Sequence, residues 1–159
     1  MNQVLPLVRY VLGDLAHLEA APCRCNAGSS WPRVVLEGRA ADLMRAGGRW
    51  VSTRAVDEAL SSVRSLDFYQ VQQTAPDVYD VRIIATPGRA APVDDVTDVL
   101  KALLGNARVT VMAVRWIRPE GGQKFRFTAP HKPHAATVGV EHPGLRDALL
   151  EEVAPVSYT

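Results

Sequence analysis

An aspartate at the end of a predicted strand is the first residue whose setting indicates binding chemistry. In the block RYVLGDL, residues 9–15, the strand ends at Gly13 and presents Asp14 at a tight turn. A carboxylate held there can accept hydrogen bonds from two adjacent hydroxyl groups, which is the pattern of ribose recognition. Taken alone, a Gly-Asp pair is more often an ordinary turn, so this block needs support from other parts of the chain.

An arginine and two glycines stand in a second block, EGRAADLMRAGGRW, at residues 37–50. Arg39 offers a fork of hydrogen-bond donors that suits a ribose or a phosphate. Gly47 and Gly48 allow the backbone to come close to a narrow ligand, because glycine carries no Cβ atom. By itself the block is also typical of a hairpin with a surface arginine.

A lysine on a glycine-rich loop is the centre of a third block, GGQKFRF, at residues 121–127. The chain contains three lysines, Lys101, Lys124 and Lys132, and arginine supplies most of its positive charge. A lysine on a mobile glycine loop can reach a carboxylate or an α-phosphate and neutralise the charge that develops there during adenylyl transfer. The alternative is a solvated loop lysine, since most lysines are exposed.

The elements that must position these blocks form an α+β pattern. Short strands broken by turns fill the first forty residues, and LMRAGGRWVS predicts two strands that turn on its glycine pair. The next predicted element is a helix with Ser52 or Thr53 as its N-cap that continues to about Ser65. It is followed by the strands LDFYQVQQ and DVYDVRIIAT, a helix from about Pro92 to Gly105-Asn106, and the strand ARVTVMAVRWI. This order predicts a short β-rich N-terminal segment followed by a small α/β sandwich, with two helices on one face of a mixed or antiparallel sheet.

Hydrophobic alternation indicates which face of one strand is buried. Tyr79, Val81 and Ile83 alternate with Asp80 and Arg82. Since successive strand residues point to opposite faces of a sheet, we expect the three apolar side chains to face the core.

Length and composition indicate one packed domain. The chain has 159 residues, of which 47% are hydrophobic and 22% charged, and its formal net charge is +1. This balance argues against a disordered chain and against a general nucleic-acid binder. No apolar run reaches the roughly 18 residues that a membrane span needs, and the start does not fit a secretory segment, so we expect a cytoplasmic protein. Cys23 and Cys25, with His17 nearby, fall short of the four ligands of a structural zinc site, and we expect no metal there.

The order of the three blocks resembles that in adenylate-forming enzymes, and specifically in the C-terminal portion of phenylacetate–CoA ligase and its relatives. The resemblance covers residues 4–128, from LVRYVLGDL through EGRAADLMRAGGRWVS and the two-helix module to GGQKFRF. It implies that ATP activates a carboxylate to an acyl-adenylate, after which the small C-terminal domain rotates. A thiol, usually coenzyme A, then displaces AMP.

The resemblance also implies a role for each block. The residue matching Asp14 binds the ribose of ATP, and the arginine matching Arg39 assists it. The glycine matching Gly48, with Gly47 beside it, lines the channel for the pantetheine arm of coenzyme A or of a carrier protein. The lysine matching Lys124 takes part in the adenylation step, in which the acyl-adenylate forms.

Two departures from the family pattern stand out. The family has Gly-Arg-x-Asp-Asp at the hinge between its domains, whereas here Ala41 replaces the first aspartate and Asp42 keeps the second. The large N-terminal domain is also absent from these residues, and with it the glycine- and threonine-rich phosphate loop, the acyl pocket and the magnesium-binding glutamate. We therefore expect the isolated chain to be inactive.

Two functional hypotheses follow from the resemblance and its departures. In the first, residues 1–38 are a remnant of the large domain's β-subdomain, 39–130 are a lid-type C-terminal domain and 131–159 are a proline-containing tail. This module would work with ATP or AMP, Mg²⁺ and coenzyme A or carrier pantetheine, in complex with a large adenylation domain or subunit. The exposed N-terminal strand also makes a homodimer an expected assembly. In the second, the chain is a non-catalytic binding or regulatory module that retains the lid fold.

Overall fold

Two N-terminal strands form the first part of the fold. In a computed structural model, which describes residues 13–19, 33–119 and 125–131, β1 (Asp14–Glu19) pairs antiparallel with β2 (Arg33–Arg39). A short 3-10 turn, Ala40–Asp42, follows β2 directly. The predicted strand that ends at Gly13 covers residues before that glycine, and these lie outside the described residues. The 3-10 turn connects the β1–β2 pair to the rest of the chain.

A tight hairpin follows this turn, as the glycine pair predicts. It consists of β3 (Met44–Ala46) and β4 (Arg49–Val51), which pair antiparallel. Gly47 and Gly48, between the strands, have φ angles of 55° and 86°. Residues with a side chain rarely adopt this left-handed conformation, so the glycine pair fixes the place where the chain reverses.

The first helix, α1, spans Thr53–Leu60 and begins as the sequence predicts. Its N-cap is Ser52, whose side chain accepts a hydrogen bond from the backbone N–H of Ala55. The helix ends well before residue 65, where the sequence pattern placed its end. The hydroxyls of Ser61 and Ser62 donate to backbone carbonyl oxygens within the last turn. Such local hydrogen bonds compete with helix propagation, which explains the earlier end.

A four-stranded mixed sheet is the main layer of the protein. Its strands are β5 (Leu66–Ala75), β6 (Val78–Ala85), β7 (Arg108–Ala113) and β8 (Thr128–Ala129), in the order β7-β6-β5-β8. β5 and β6 are antiparallel, whereas β6–β7 and β5–β8 are parallel. The second helix, α2 (Val93–Leu104), connects β6 to β7. These elements confirm the predicted α+β class with two helices and a mixed sheet.

The core lies between the two helices and the sheet. Tyr79, Val81 and Ile83 are fully buried, as their alternation predicts. They pack in one cluster with residues of both helices, among them Val56 and Leu100. Alternation at a period of two can be recognised from sequence because it follows directly from strand geometry.

A buried polar cluster holds the β3–β4 hairpin against the sheet. The side-chain amide of Gln73 donates to the backbone oxygen of Arg45 over 2.8 Å, and its carbonyl oxygen accepts from the backbone N–H of Arg45 over 3.2 Å. The hydroxyl of Tyr79 donates to the same backbone oxygen. Burial, reinforced by the nearby Asp77 carboxylate, raises the pKa of Tyr79 to about 12, so the hydroxyl remains a donor. The side chains of Gln73 and Tyr79 therefore hold the backbone of the hairpin that carries the glycine pair.

Candidate functional site

Asp14 and Arg39 lie together at one end of the β1–β2 pair. They are direct cross-strand partners, and the Nε atom of Arg39 is 3.8 Å from the Oδ1 atom of Asp14. Their side chains are 45% and 56% exposed, respectively. Next to them the backbone N–H of Ala40 donates to the carbonyl oxygen of Gly13 over 2.9 Å, which closes this end of the ladder. A carboxylate and a guanidinium are thus presented side by side to solvent.

Gly38 places Arg39 at this position. Its φ angle is 116°, and a Cβ atom built on it would lie 3.1 Å from the Cβ and Oγ1 atoms of Thr53. The backbone conformation and the close approach of α1 both favour glycine. The strand can therefore pass close to the helix N-terminus just before Arg39.

Glu37 attaches the β1–β2 pair to α1. Its Oε2 atom accepts from the hydroxyl of Ser52 over 2.6 Å, and its Oε1 atom lies 3.1 Å from Nδ1 of His17. The guanidinium of Arg54 is 4.0 Å from the same carboxylate. One side chain of β2 thus contacts β1, the helix cap and the helix, so the end that carries Arg39 is held on the helical layer.

Asp42, in the 3-10 turn, is a buried carboxylate with an arginine nearby. The residue is 9% exposed, and the Nε atom of Arg126 is 3.5 Å from its Oδ1 atom. Within the described residues that oxygen has no hydrogen-bond partner. Burial raises the pKa of Asp42 above its usual 3.8, and the positive charges of Arg126 and Arg39 oppose this rise.

This shift predicts how replacement of Asp42 changes the pH dependence of stability. A raised pKa in the folded state means that the contribution of Asp42 is fully present below its unfolded pKa of 3.8 and is lost as the pH rises through the raised value. Asparagine cannot titrate. We therefore expect the melting temperature of Asp42→Asn to improve relative to wild type as the pH rises from 4 to 7, by about 1–3 °C. Thermal unfolding of both proteins at several pH values measures this, and a pH-independent difference would contradict it.

The glycine turn of the β3–β4 hairpin lies at an open cavity of about 300 Å³. The backbone N–H of Gly47 donates to Oδ1 of Asp77 over 2.9 Å, and the guanidinium of Arg45 donates to the carbonyl oxygen of Gly48 over 2.9 Å. A Cβ atom built on Gly48 would meet nothing within 4 Å. The cavity is lined by Arg45, Gly48, Gln73, Pro76, Asp77, Pro130 and His131. The turn therefore borders open space that a ligand can enter.

The predicted site residues thus fall into separate groups, which different parts of the fold hold in place. Asp14 and Arg39 are brought together, whereas the glycine turn is held by Asp77 and Arg45. Lys124 and the two cysteines lie outside the described residues. Among the residues that the structure does describe, no group of three or more His, Cys, Asp or Glu side chains could hold a metal ion. In the same ranges no helix combines the length and the apolar character that crossing a membrane requires.

Two residues that sequence analysis did not single out are central to this arrangement. Arg126 faces the Asp42 carboxylate, and the buried Thr128 donates its hydroxyl to the backbone oxygen of Asp42 over 3.0 Å. Arg126 belongs to the block GGQKFRF, and Thr128 follows that block directly. Their partner is 86 positions away from Thr128 in the sequence, and no local pattern reveals such a contact.

Comparison with known proteins gives a likeness in structure only. No protein-family model matches the sequence, and no curated protein is significantly similar to it. The chain is similar to 2-hydroxyisobutyryl-CoA ligase in its postadenylation state with R3-HIB-AMP, at 22% identity and a TM-score of 0.52, over 64% of this chain and 24% of that one. The same ligase with 2-HIB-AMP gives 21% identity and a TM-score of 0.52, over 74% and 26% of the two chains.

A third structure, the amide bond synthetase McbA from Marinactinospora thermotolerans, is 18% identical with a TM-score of 0.49, over 67% of this chain and 21% of that one. The two structures, both of 2-hydroxyisobutyryl-CoA ligase, show that this chain shares its fold with part of that ligase. The chain spans about a quarter of the length of those ligase chains.

Proposed function

We propose that the chain is the C-terminal module of an ATP-dependent, acyl-adenylate-forming ligase of the phenylacetate–CoA ligase type, which acts together with a large adenylation domain. The observation that carries this proposal is the pairing of Asp14 with Arg39. The resemblance of the sequence assigns both residues to the nucleotide, and they lie side by side within a fold that adenylate-forming ligases also contain. In this proposal, residues 39–130 are the lid-type domain.

The exposed pair fits the sugar of a nucleotide. The carboxylate of Asp14 can accept hydrogen bonds from two neighbouring hydroxyls, and the guanidinium of Arg39 can donate to the same sugar or to a phosphate. Their separation of 3.8 Å leaves both groups free to change partners when a ligand arrives. The phosphate loop and the magnesium ligands belong to the large domain in this proposal.

The glycine turn fits the acceptor side of the reaction. The pantetheine arm is narrow, and Gly48 borders an open cavity that a side chain on this residue would enter. In this proposal the turn lines the thiol channel and Lys124 stabilises charge during adenylation. The two blocks therefore serve different half-reactions, and coenzyme A or carrier pantetheine is the thiol.

The experiment that tests the proposal combines this chain with its large domain. The first step is to search the coding sequence, in frame with the chain or immediately upstream of it, for a domain with a glycine- and threonine-rich phosphate loop. The second step is to produce that domain together with this chain. We expect carboxylate-dependent exchange of pyrophosphate into ATP with both parts, and loss of exchange without this chain. Absence of any such domain, or exchange that does not depend on this chain, would refute the proposal.

The isolated chain should bind ATP weakly or not at all. It carries one ribose-binding pair, and in the proposal the groups that hold the phosphates lie elsewhere. Isothermal titration calorimetry of the chain alone should detect no micromolar binding of ATP. Micromolar binding would correspond to a binding free energy on the order of 8 kcal/mol. Tight binding by the chain alone would show that the nucleotide site is complete within it.

A second candidate function rests on Ala41. This residue stands where the family hinge has an aspartate, and the 3-10 turn that contains it is otherwise formed by Ala40 and Asp42. A binding or regulatory module that kept the lid fold after losing catalysis would no longer need that aspartate. Such a module would bind its partner without supporting either half-reaction, which the same reconstitution measures.

A further inference from the structure

We propose that Arg126 is a positioning residue, which joins the segment 125–131 to the turn Ala40–Asp42 through the buried carboxylate of Asp42. Arg126, Thr128, Thr53 and Asp42 are together called the latch. The inference rests on the proposed function for its catalytic consequence, and on described contacts alone for the existence of the latch.

A chain of two hydroxyls forms one half of the latch. Thr128 is fully buried, and its hydroxyl donates to the backbone oxygen of Asp42 over 3.0 Å. The hydroxyls of Thr53 and Thr128 are 2.6 Å apart. Since a hydroxyl has one proton to donate, Thr53 must be the donor to Thr128. The start of α1, the strand β8 and the turn are thus connected by polar contacts.

The ion pair forms the other half of the latch. The backbone around Arg126 is already bound to β5, because Gln70 donates to its carbonyl oxygen over 3.1 Å and the N–H of Val71 donates to that of Phe127 over 2.8 Å. The side chain of Arg126 contacts the turn, since its Nε atom lies 3.5 Å from the Oδ1 atom of Asp42. The segment is therefore attached to β5 through its backbone, and to the turn through the side chains of Thr128 and Arg126.

The Asp42 carboxylate makes this attachment conditional. Its Oδ1 atom is buried and has no hydrogen-bond partner among the described residues, although Arg126 is close by. A buried carboxylate depends on a nearby positive charge, so removal of Arg126 should destabilise the fold only while residue 42 is charged. Arg39 also acts on this carboxylate from the β1–β2 side. One side chain is therefore influenced by charges on both sides of the turn.

The catalytic consequence concerns Lys124, which precedes Arg126 by two residues in the sequence. When the latch holds segment 125–131, the chain position directly after Lys124 is held in place. Arg126 then acts on adenylation through the position of the lysine, without contact with the nucleotide. The second half-reaction does not use Lys124 in the proposed function, so it should not respond to the latch.

The first experiment tests the latch in the isolated chain and needs no activity. Arg126→Met should lower the melting temperature by about 2–4 °C when residue 42 is aspartate, and by less than about 1 °C in the Asp42→Asn background. Arg126→Lys should retain most of the stability, because the contact is made by one nitrogen and does not need a guanidinium fork. Equal losses in both backgrounds would overturn the latch.

The second experiment measures the two half-reactions with the large domain present. Arg126→Met should lower kcat for adenylation about tenfold with little change in the KM for ATP, should leave thiol transfer from a preformed adenylate unchanged, and should be rescued by Arg126→Lys. Arg118→Met is the control, since Arg118 lies over the ring of Trp116, at 4.9 Å from its centroid. Equal losses in both half-reactions, or none, would overturn the positioning role. If wild type itself forms no adenylate, the positioning role falls with the proposed function, while the stability cycle still decides whether the latch exists.

Discussion

Lys124→Ala is expected to slow acyl-adenylate formation by about a hundredfold or more when the large domain is present, as loss of one charge-stabilising group typically does. The reason is that the ammonium group neutralises charge on the reacting carboxylate or α-phosphate. Thioester formation from a preformed adenylate should change much less, by at most about threefold, because the proposed role of the lysine ends with adenylation. Rapid-quench measurement of each half-reaction separates the two effects.

Lys101→Ala is the matched control for this prediction. Lys101 lies in the last turn of α2, where it is exposed, so its replacement removes a positive charge of the same kind elsewhere on the surface. The control should leave both half-reactions at wild-type rates. If Lys101→Ala and Lys124→Ala have equal effects, overall charge rather than a catalytic lysine explains the loss.

Gly48→Leu is expected to give the opposite pattern, with adenylation retained and thiol transfer reduced by about a hundredfold. A Cβ atom on Gly48 meets nothing within 4 Å, so the new side chain has room to extend into the cavity that the residue lines. In the proposed function this cavity receives the pantetheine arm, and a leucine there would block it. The measurement is thioester formation from a preformed acyl-adenylate.

Gly48→Ala separates obstruction from backbone strain. Both substitutions place a side chain at a φ angle of 86°, which costs roughly 1–2 kcal/mol, and both should therefore lower the melting temperature by similar amounts. Only leucine is long enough to obstruct the channel. Equal losses of thiol transfer in the two variants would assign the effect to strain. If Lys124→Ala and Gly48→Leu both match wild type in both half-reactions, the non-catalytic binding module becomes the better explanation.

Local geometry explains what the sequence by itself determined. The hairpin of β3 and β4 is predictable because Gly47 and Gly48 accept left-handed φ angles that other residues avoid. The buried face of β6 is predictable because its alternation has the period of a strand. The start of α1 is predictable because Ser52 can cap its free N–H groups. Each of these features depends on a few consecutive residues.

The tertiary structure decided which distant residues meet. The register of β1 on β2 places Asp14 opposite Arg39, and a shift of one residue would turn either side chain to the other face. The contact of Arg126 with Asp42 exists because β8 pairs parallel with β5, and a two-residue strand has no alternation from which that pairing could be predicted. Contacts of this kind depend on how the layers pack. The sequence therefore determined the blocks and most of the helices and strands, whereas the packing of the sheet, the helices and the 3-10 turn determined which side chains lie close enough to act together.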